Sequence, residues 1–308
     1  MIRVVSFDAA GTLLHFARPV ARVYAEVAAR NGIEAVAEKV DERLPSAFEQ
    51  GGRMVPVPGE SADDFERQWW KSVLAVALDV SRQDRRLDDC FAELFGYYAS
   101  EAAWRIHERL PELLAGLQHA GLRLAICSNF DGRLPELLKQ LELMSYFDAV
   151  VLPRHAGAEK PETEIFRYMV DAMGEQPGAC LHVGDSIEND VAAARLAGLQ
   201  GLQWSLKPEA DIRFAASKLY EALHGSGRPA YRTADAWRQA AMQRPDGVDD
   251  VESARRRAQA REHYRQTGRV PSADLLADHE LFILGKMTLD EYQEYLVFKH
   301  GETGQGPE

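Results

Sequence analysis

Short runs rich in Val, Ile, Leu and Cys recur at residues 2–7, 122–127, 149–152, 179–183 and 201–204. Between them, residues 110–117, 134–143, 164–173 and 190–197 repeat their apolar positions at helical spacing. Alternation of this kind predicts a doubly wound α/β domain, a parallel sheet covered by helices on both faces. One gap breaks it. From Thr12 to about Ala103 the pattern is helical only, at 20–30, 62–78 and 88–98, and is far too long for a simple crossover. It reads as an inserted all-helical domain that leaves the sheet directly after the first strand. Trp69, Trp70, Phe91, Phe95, Tyr97 and Tyr98 within it are expected to form its core rather than a substrate cage.

A third region follows the punctuation Gly225-Ser226-Gly227-Arg228-Pro229. Residues 255–265 are strongly basic, 274–284 are amphipathic, and 288–299 open with Thr288 and Glu291 at capping-box spacing. The expected division is therefore 1–15 with 104–224 as the core, 16–103 as the helical insertion, and 225–308 as a linker and helical extension.

Composition narrows the function classes. The 308 residues carry a net charge of −12, which argues against general affinity for nucleic acid or anionic membranes. The basic cluster Arg255-Arg256-Arg257 is flanked by Glu252 and Glu262 and reads as a solvated helix face. No apolar run reaches the roughly 20 residues of a membrane span, and no basic and apolar leader precedes the first strand. Cys90, Cys127 and Cys180 are odd in number and widely spaced, as reduced thiols of a cytoplasmic protein would be.

The candidate chemistry lies at the ends of the apolar runs. Val4-Val5-Ser6-Phe7 stops at Asp8, and Ala9-Ala10-Gly11-Thr12 follows. A carboxylate delivered to the carboxyl edge of a parallel sheet is a candidate nucleophile or metal ligand. Gly11 would let the backbone approach an anionic group. Ser128, with Asn129 behind it, follows the run ending at Cys127; its hydroxyl either binds a phosphoryl oxygen or caps a helix. Lys160, ahead of Pro161 and a helix over 162–173, either reaches a transferring phosphate or sits in a solvated loop. Gly184-Asp185 and Asp190 place two carboxylates on a strand-to-helix turn, which suits a hard cation such as Mg²⁺ or a helix start.

In order and context these segments resemble the haloacid dehalogenase-like superfamily of hydrolases. Its pattern is Asp-x-Asp-x-Thr after strand one, Ser or Thr after strand two, Lys before a helix, and Gly-Asp with a further Asp after strand four. Asp8 and Thr12, Ser128, Lys160, and Gly184-Asp185 with Asp190 match it within residues 1–224. The insertion stands where that superfamily places its commonest cap. The resemblance implies a Rossmann-like core and in-line attack by Asp8 on phosphorus to give an aspartyl-phosphate. It implies Mg²⁺ on Asp8, Asp185 and the Ala10 carbonyl, with Asp190 holding a metal-bound water or Lys160. Thr12, Ser128 and Lys160 would neutralise phosphoryl oxygens, and Ser128, Asn129, Lys160 and Gly11 would bind the phosphate.

One residue departs from the pattern. Phosphatases of the superfamily carry a general acid–base Asp two residues after the nucleophile, where this chain has Ala10. Such help is worth about 10²–10⁴-fold. His15, Asp131 or a carboxylate of the cap could substitute for it, or the leaving group could need no acid. The phosphonatase branch resembles Asp8-Ala9-Ala10 at its alanine but needs a cap lysine, and Lys39 and Lys71 are the two available. The dehalogenase branch also lacks the second Asp, but retention of Asp185 and Asp190 argues against it. A phosphate- and metal-binding module with little turnover is the remaining alternative. In the tail, Gly285-Lys286-Met287-Thr288-Leu289-Asp290-Glu291 resembles the small helical antitoxins of Fic-type toxins, without their inhibitory Ser/Thr-to-Glu pattern. The expectation is a Mg²⁺-dependent phosphatase of a small phosphorylated metabolite, with 225–308 open to a protein partner or self-association.

Overall fold

The computed structural model describes residues 2–57, 59–210, 212–224, 234–267, 272–287, 291, 292, 295 and 299. The chain divides into two compact units, Met1–Gly225 and Ser226–Glu308.

The first unit is built on five parallel strands, β1 (Val4–Phe7), β4 (Arg123–Cys127), β5 (Ala149–Val151), β6 (Cys180–Gly184) and β7 (Gln200–Gln203), in the order β5-β4-β1-β6-β7. All four residues of β1 are buried, as a central strand covered on both faces requires. Helices α5 (Leu110–His119), α6 (Leu134–Gln140), α7 (Pro153–Ala156), α8 (Thr163–Ala172), α9 (Ala193–Leu196) and α10 (Ile212–His224) supply the connections and cover. Register sets the position of the candidate chemistry. Phe7 aligns with Ile126 of β4 and Val183 of β6, so Asp8, Ser128 and Asp185 all emerge at one carboxyl edge.

The helical insertion is present as α1 (Val20–Arg30), α2 (Ala37–Gly51), α3 (Ala62–Leu78) and α4 (Arg85–Tyr98). Side chains cap two of them: the Ser61 hydroxyl accepts the Asp64 N–H at 3.3 Å, and the Asp84 carboxylate accepts that of Arg86 at 3.0 Å. Where the sequence showed only helical pattern, a short ribbon ties the two chain crossings. In it β2 (His15–Phe16) pairs antiparallel with β3 (Trp104–Arg105), and the Phe16 and Trp104 rings stack at 4.7 Å. The insertion docks on the sheet through buried Glu66 of α3, which accepts hydrogen bonds from Gly132 N and Arg154 Nε, each at 2.9 Å.

The second unit contains α11 (Ala234–Met242), α12 (Asp250–Thr267) and α13 (Ala273–Ile283) around Trp237, Ala241, Leu281, Met287, Tyr292 and Tyr295. Its buried Asp278 accepts from the Tyr295 hydroxyl at 3.0 Å and pairs with Lys299. Arg256 and Arg257 of α12 pair with Glu252 and Glu280. Thr288 to Asp290, and with them most of the expected capping box, lie outside the described residues. Among the described residues, no helix is long and apolar enough to cross a membrane.

Candidate active site

Asp8, Lys160, Asp185 and Asp190 meet at the carboxyl edge of the sheet. Lys160 Nζ is the hub: it donates to Asp8 Oδ1 at 2.7 Å and to Asp190 Oδ1 at 2.5 Å, with the lysine only 4 % exposed. Burial works against its charge, but the two carboxylates outweigh burial and hold the ammonium above its ordinary range. Asp190 is pressed upward by burial, yet the hydrogen bond from His182 and the Lys160 charge keep it well below the usual carboxylate range. Its other oxygen, Oδ2, accepts the Ser186 N–H at 2.9 Å.

Thr12 does not line the cavity above the cluster. Its buried Oγ1 lies 3.3 Å from Asp8 Oδ2 and 3.1 Å from Asp185 Oδ1, and accepts the Asp185 N–H at 3.1 Å. Its single proton serves one carboxylate at a time, so Thr12 sets the spacing of two acids rather than touching a phosphoryl group. Gly11 likewise changes role. Its N–H is spent on the Leu14 carbonyl at 2.8 Å, and its carbonyl accepts from the Ser205 hydroxyl at 2.6 Å. It is glycine because its φ is +93° and a Cβ would stand 2.9 Å from Asp185 Oδ2. Gly184 serves close approach rather than a tight turn: a Cβ there would meet Asp190 Cγ at 2.2 Å.

Ser128 lines the cavity beside Asp8 and is 2 % exposed. Asn129 lines it too, but its side-chain amide is committed to Lys160. Nδ2 donates to the Lys160 carbonyl at 2.8 Å and Oδ1 accepts the Lys160 N–H at 2.7 Å. Asn129 therefore fixes the lysine's backbone. The helix behind Lys160 begins at Thr163 with Glu162 as its cap, so Pro161 precedes the first turn instead of forming it.

The acids have the donor chemistry of a hard cation. One oxygen each of Asp8, Asp185 and Asp190 lies within 4.8 Å of the others. Three carboxylates face one ammonium, and partial desolvation followed by the Asp8 charge raises the Asp185 carboxyl above its ordinary range. That surplus of negative charge, with oxygen donors only, fits a divalent ion such as Mg²⁺. Asp8 and Asp185 would hold it. Asp190 is engaged by Lys160, His182 and Ser186, so any share it takes runs through water. Ala10 borders the same cavity.

Two of the candidate substitutes for the missing acid are occupied elsewhere, and the third, a cap carboxylate, has a member in the cavity lining, Asp41 of α2. His15 Nε2 is 2.9 Å from the Leu206 carbonyl, and the Asp131 carboxylate holds Arg133 and accepts Trp70 Nε1 at 2.6 Å. Lys39 and Lys71 pair with Glu42 and Asp88, and neither lines the cavity. Phe91 and Tyr98 lie in the hydrophobic core, with Trp69, Trp70, Phe95 and Tyr97 packed against it, as expected, and Trp70, Phe91, Phe95 and Tyr98 also line the cavity. Sequence reasoning passed over Arg133, Phe130 and the buried chain from Ser6 Oγ through His182 to Asp190, with contacts of 2.9 and 3.2 Å. A histidine inside an apolar run carries no periodic signal.

Comparison with known proteins agrees with this geometry. The family model described as haloacid dehalogenase-like hydrolase matches residues 2–198. The haloacid dehalogenase-like hydrolase domain-containing protein 3 of Xenopus laevis is 29 % identical over 236 residues, covering 73 % of this chain and 96 % of the relative. The human protein of that name is 30 % identical over 200 residues, covering 64 % of this chain and 80 % of its own. Among solved structures, a HAD phosphatase from Thermococcus onnurineus superposes with a TM-score of 0.51 at 22 % identity, over 73 % of this chain and 99 % of that one. A defluorinating L-2-haloacid dehalogenase, Rha0230, does so equally, with a TM-score of 0.51 at 17 % identity over 64 % and 79 %. The shared fold thus spans both reactions, and the site must separate them. The match to residues 2–198 shows that the chain belongs to the haloacid dehalogenase-like hydrolases.

Proposed function

We propose that this chain is a Mg²⁺-dependent phosphohydrolase that acts through an aspartyl-phosphate on Asp8, with the helical insertion α1–α4 as its cap. The observation that carries the reading is the buried ammonium of Lys160, 2.7 Å from Asp8, beside an acid cluster with a surplus of negative charge. Bound Mg²⁺ would supply charge neutralisation for a dianionic phosphoryl group. Lys160 holds one oxygen of Asp8, and Thr12 stands 3.3 Å from the other, which orients the carboxylate for in-line attack. Ser128 and the Lys160 ammonium offer donors to the phosphoryl oxygens. The bond from phosphorus to the leaving oxygen breaks as the Asp8–phosphorus bond forms. Water then attacks phosphorus, releasing phosphate and restoring Asp8.

The alternatives fit less well. A phosphonatase-type imine needs a cavity lysine in the cap, and Lys39 and Lys71 point elsewhere in ion pairs. A dehalogenase needs no divalent cation, and the retained Asp185 and Asp190 beside Asp8 argue against that reaction. Slow turnover has one observation in its favour, Ala10 with His15 and Asp131 occupied. The test is phosphate release from p-nitrophenyl phosphate with Mg²⁺ and with chelator. Release that disappears with chelator supports the reading; release unchanged by chelator overturns its metal requirement.

A further inference from the structure

The cavity above the acid cluster encloses about 680 Å³, and its walls differ sharply from its floor. Asp8, Lys160 and Asp185 form the floor, whereas Phe48, Trp70, Leu74, Phe91, Trp104 and Phe130 stand in the walls. Three polar groups of the walls are turned into the protein, whereas Asp41 of α2 also lines the cavity and the buried Tyr98 hydroxyl has no hydrogen-bond partner among the described residues. Trp70 Nε1 donates to Asp131 at 2.6 Å and Trp104 Nε1 to the Tyr98 carbonyl at 3.1 Å. Arg133 donates to both oxygens of Asp131 and to the Phe95 carbonyl, with its guanidinium 3.9 Å from the Phe95 ring centre. A sugar or polyol in this space would meet Asp41 and otherwise mostly carbon, leaving most of its hydroxyls without partners, each costing roughly tenfold in binding. An aromatic ring would be covered mainly by carbon.

A second, independent observation points the same way. Ala10 supplies no acid at the nucleophile loop, His15 and Asp131 are held elsewhere, and the remaining carboxylate of the lining outside the acid cluster, Asp41, belongs to the cap. A phenol leaves as a phenolate, whose conjugate acid has a pKa of about 10. An alkoxide is as basic as hydroxide, whose conjugate acid lies near 15.7. Only the phenolate departs readily without a donated proton.

Resting on the phosphohydrolase reading, we infer that the substrate is an aryl phosphate, a monoester of a phenol-type hydroxyl on a flat apolar body. Asp8 bonds to phosphorus as the phosphorus–aryl oxygen bond breaks. The electron pair leaves on the phenolate, which takes its proton from solvent. Water then attacks phosphorus, loses a proton to solvent, and frees Asp8 and inorganic phosphate.

The experiment compares kcat/KM with Mg²⁺ for phenyl and 1-naphthyl phosphate against glucose 6-phosphate and glycerol 3-phosphate. The aryl esters should lead by at least about 100-fold, the combined effect of unpartnered hydroxyls and the missing acid. Phe48, 44 % exposed, is a substitution site that spares the core, and Phe48→Ser should cut that preference about fivefold. Polyol esters equal to the aryl esters would overturn the inference and leave the phosphohydrolase standing. Failure to release phosphate from any ester would instead overturn the phosphohydrolase. Calorimetric binding of phenylphosphonate against methylphosphonate then decides the substrate class: a tenfold advantage for the phenyl compound supports it, and equal affinity overturns it.

Discussion

Replacing Lys160 with methionine keeps the side-chain length and removes the charge. At 2.7 Å from Asp8 the pair is worth about 6 kcal/mol of Coulomb energy at an effective dielectric near 20. Desolvating the ammonium offsets part of that, and measured losses on removing one member of a buried pair run at about 3–5 kcal/mol. Two features set where this site falls. His182 and the Ser186 N–H remain on Asp190 after the substitution and soften the loss. The variant also leaves Asp8, Asp185 and Asp190 facing one another with no cation, which deepens it. About 3 kcal/mol is therefore expected in metal-free buffer, read from hydrogen exchange of the β1 and β6 amides, which report the core of the first unit. A loss below about 1 kcal/mol would refute the assignment of Lys160 as the charge that balances the cluster. Phosphate release should fall in parallel by more than 10²-fold.

Three further outcomes follow from single residues. Ala10→Asp, in the one position of the nucleophile loop that borders the cavity, should raise turnover of alkyl phosphates by up to about 10²-fold and of aryl phosphates far less; equal gains would contradict the leaving-group argument. Gly11→Ala should move Asp185, weaken Mg²⁺ affinity and cost about 1–2 kcal/mol of stability, since φ is +93° and Cβ would crowd Asp185; unchanged Mg²⁺ binding by calorimetry would contradict it. The Arg3 hydrogen bond, then Arg123, hold Glu175 below its ordinary 4.5, so the stability this ion cluster contributes is present above pH 4.5 and lost as pH falls through the lower folded value. Thermal unfolding between pH 7 and 3.5 should therefore decline more steeply for the natural protein than for Glu175→Gln; parallel curves would contradict that.

Much of the core was legible because its signals are local. β1, β4 and β6 are mainly apolar runs that stop at Asp8, Ser128 and Asp185, and α1 and α3 fall on residues 20–30 and 62–78 as their apolar spacing indicates. Helix α2 was missed because Pro45 interrupts it and only Val40 and Ala47 are buried, too few to draw a stripe. β2 and β3 are two residues each and owe their pairing to the return of the chain at residue 104, which no window of sequence contains.

The site was legible by residue and less so by role. Asp8, Lys160, Asp185 and Asp190 converge because the parallel register brings three strand ends together. Thr12, Gly11 and Asn129 turned out to position other groups, since their hydrogen bonds run to residues between 3 and 194 positions away. Trp70, Phe91, Phe95 and Tyr98 of α3 and α4 line the cavity for a similar reason. Their helical spacing identifies one apolar face, and only the docking of Glu66 on Gly132 and Arg154 decides what that face covers.

The central claim is that Asp8 becomes phosphorylated. The most direct measurement is mass spectrometry of the Asp8 peptide after rapid acid quench of a reaction with Mg²⁺ and phenyl phosphate. With no acid–base residue at position 10 to speed its hydrolysis, the account predicts that a peptide heavier by one phosphoryl group accumulates within the first turnovers, and that Asp8→Asn forms none. Phosphate release at full rate with the Asp8 peptide unmodified, or release that persists in Asp8→Asn, would contradict it.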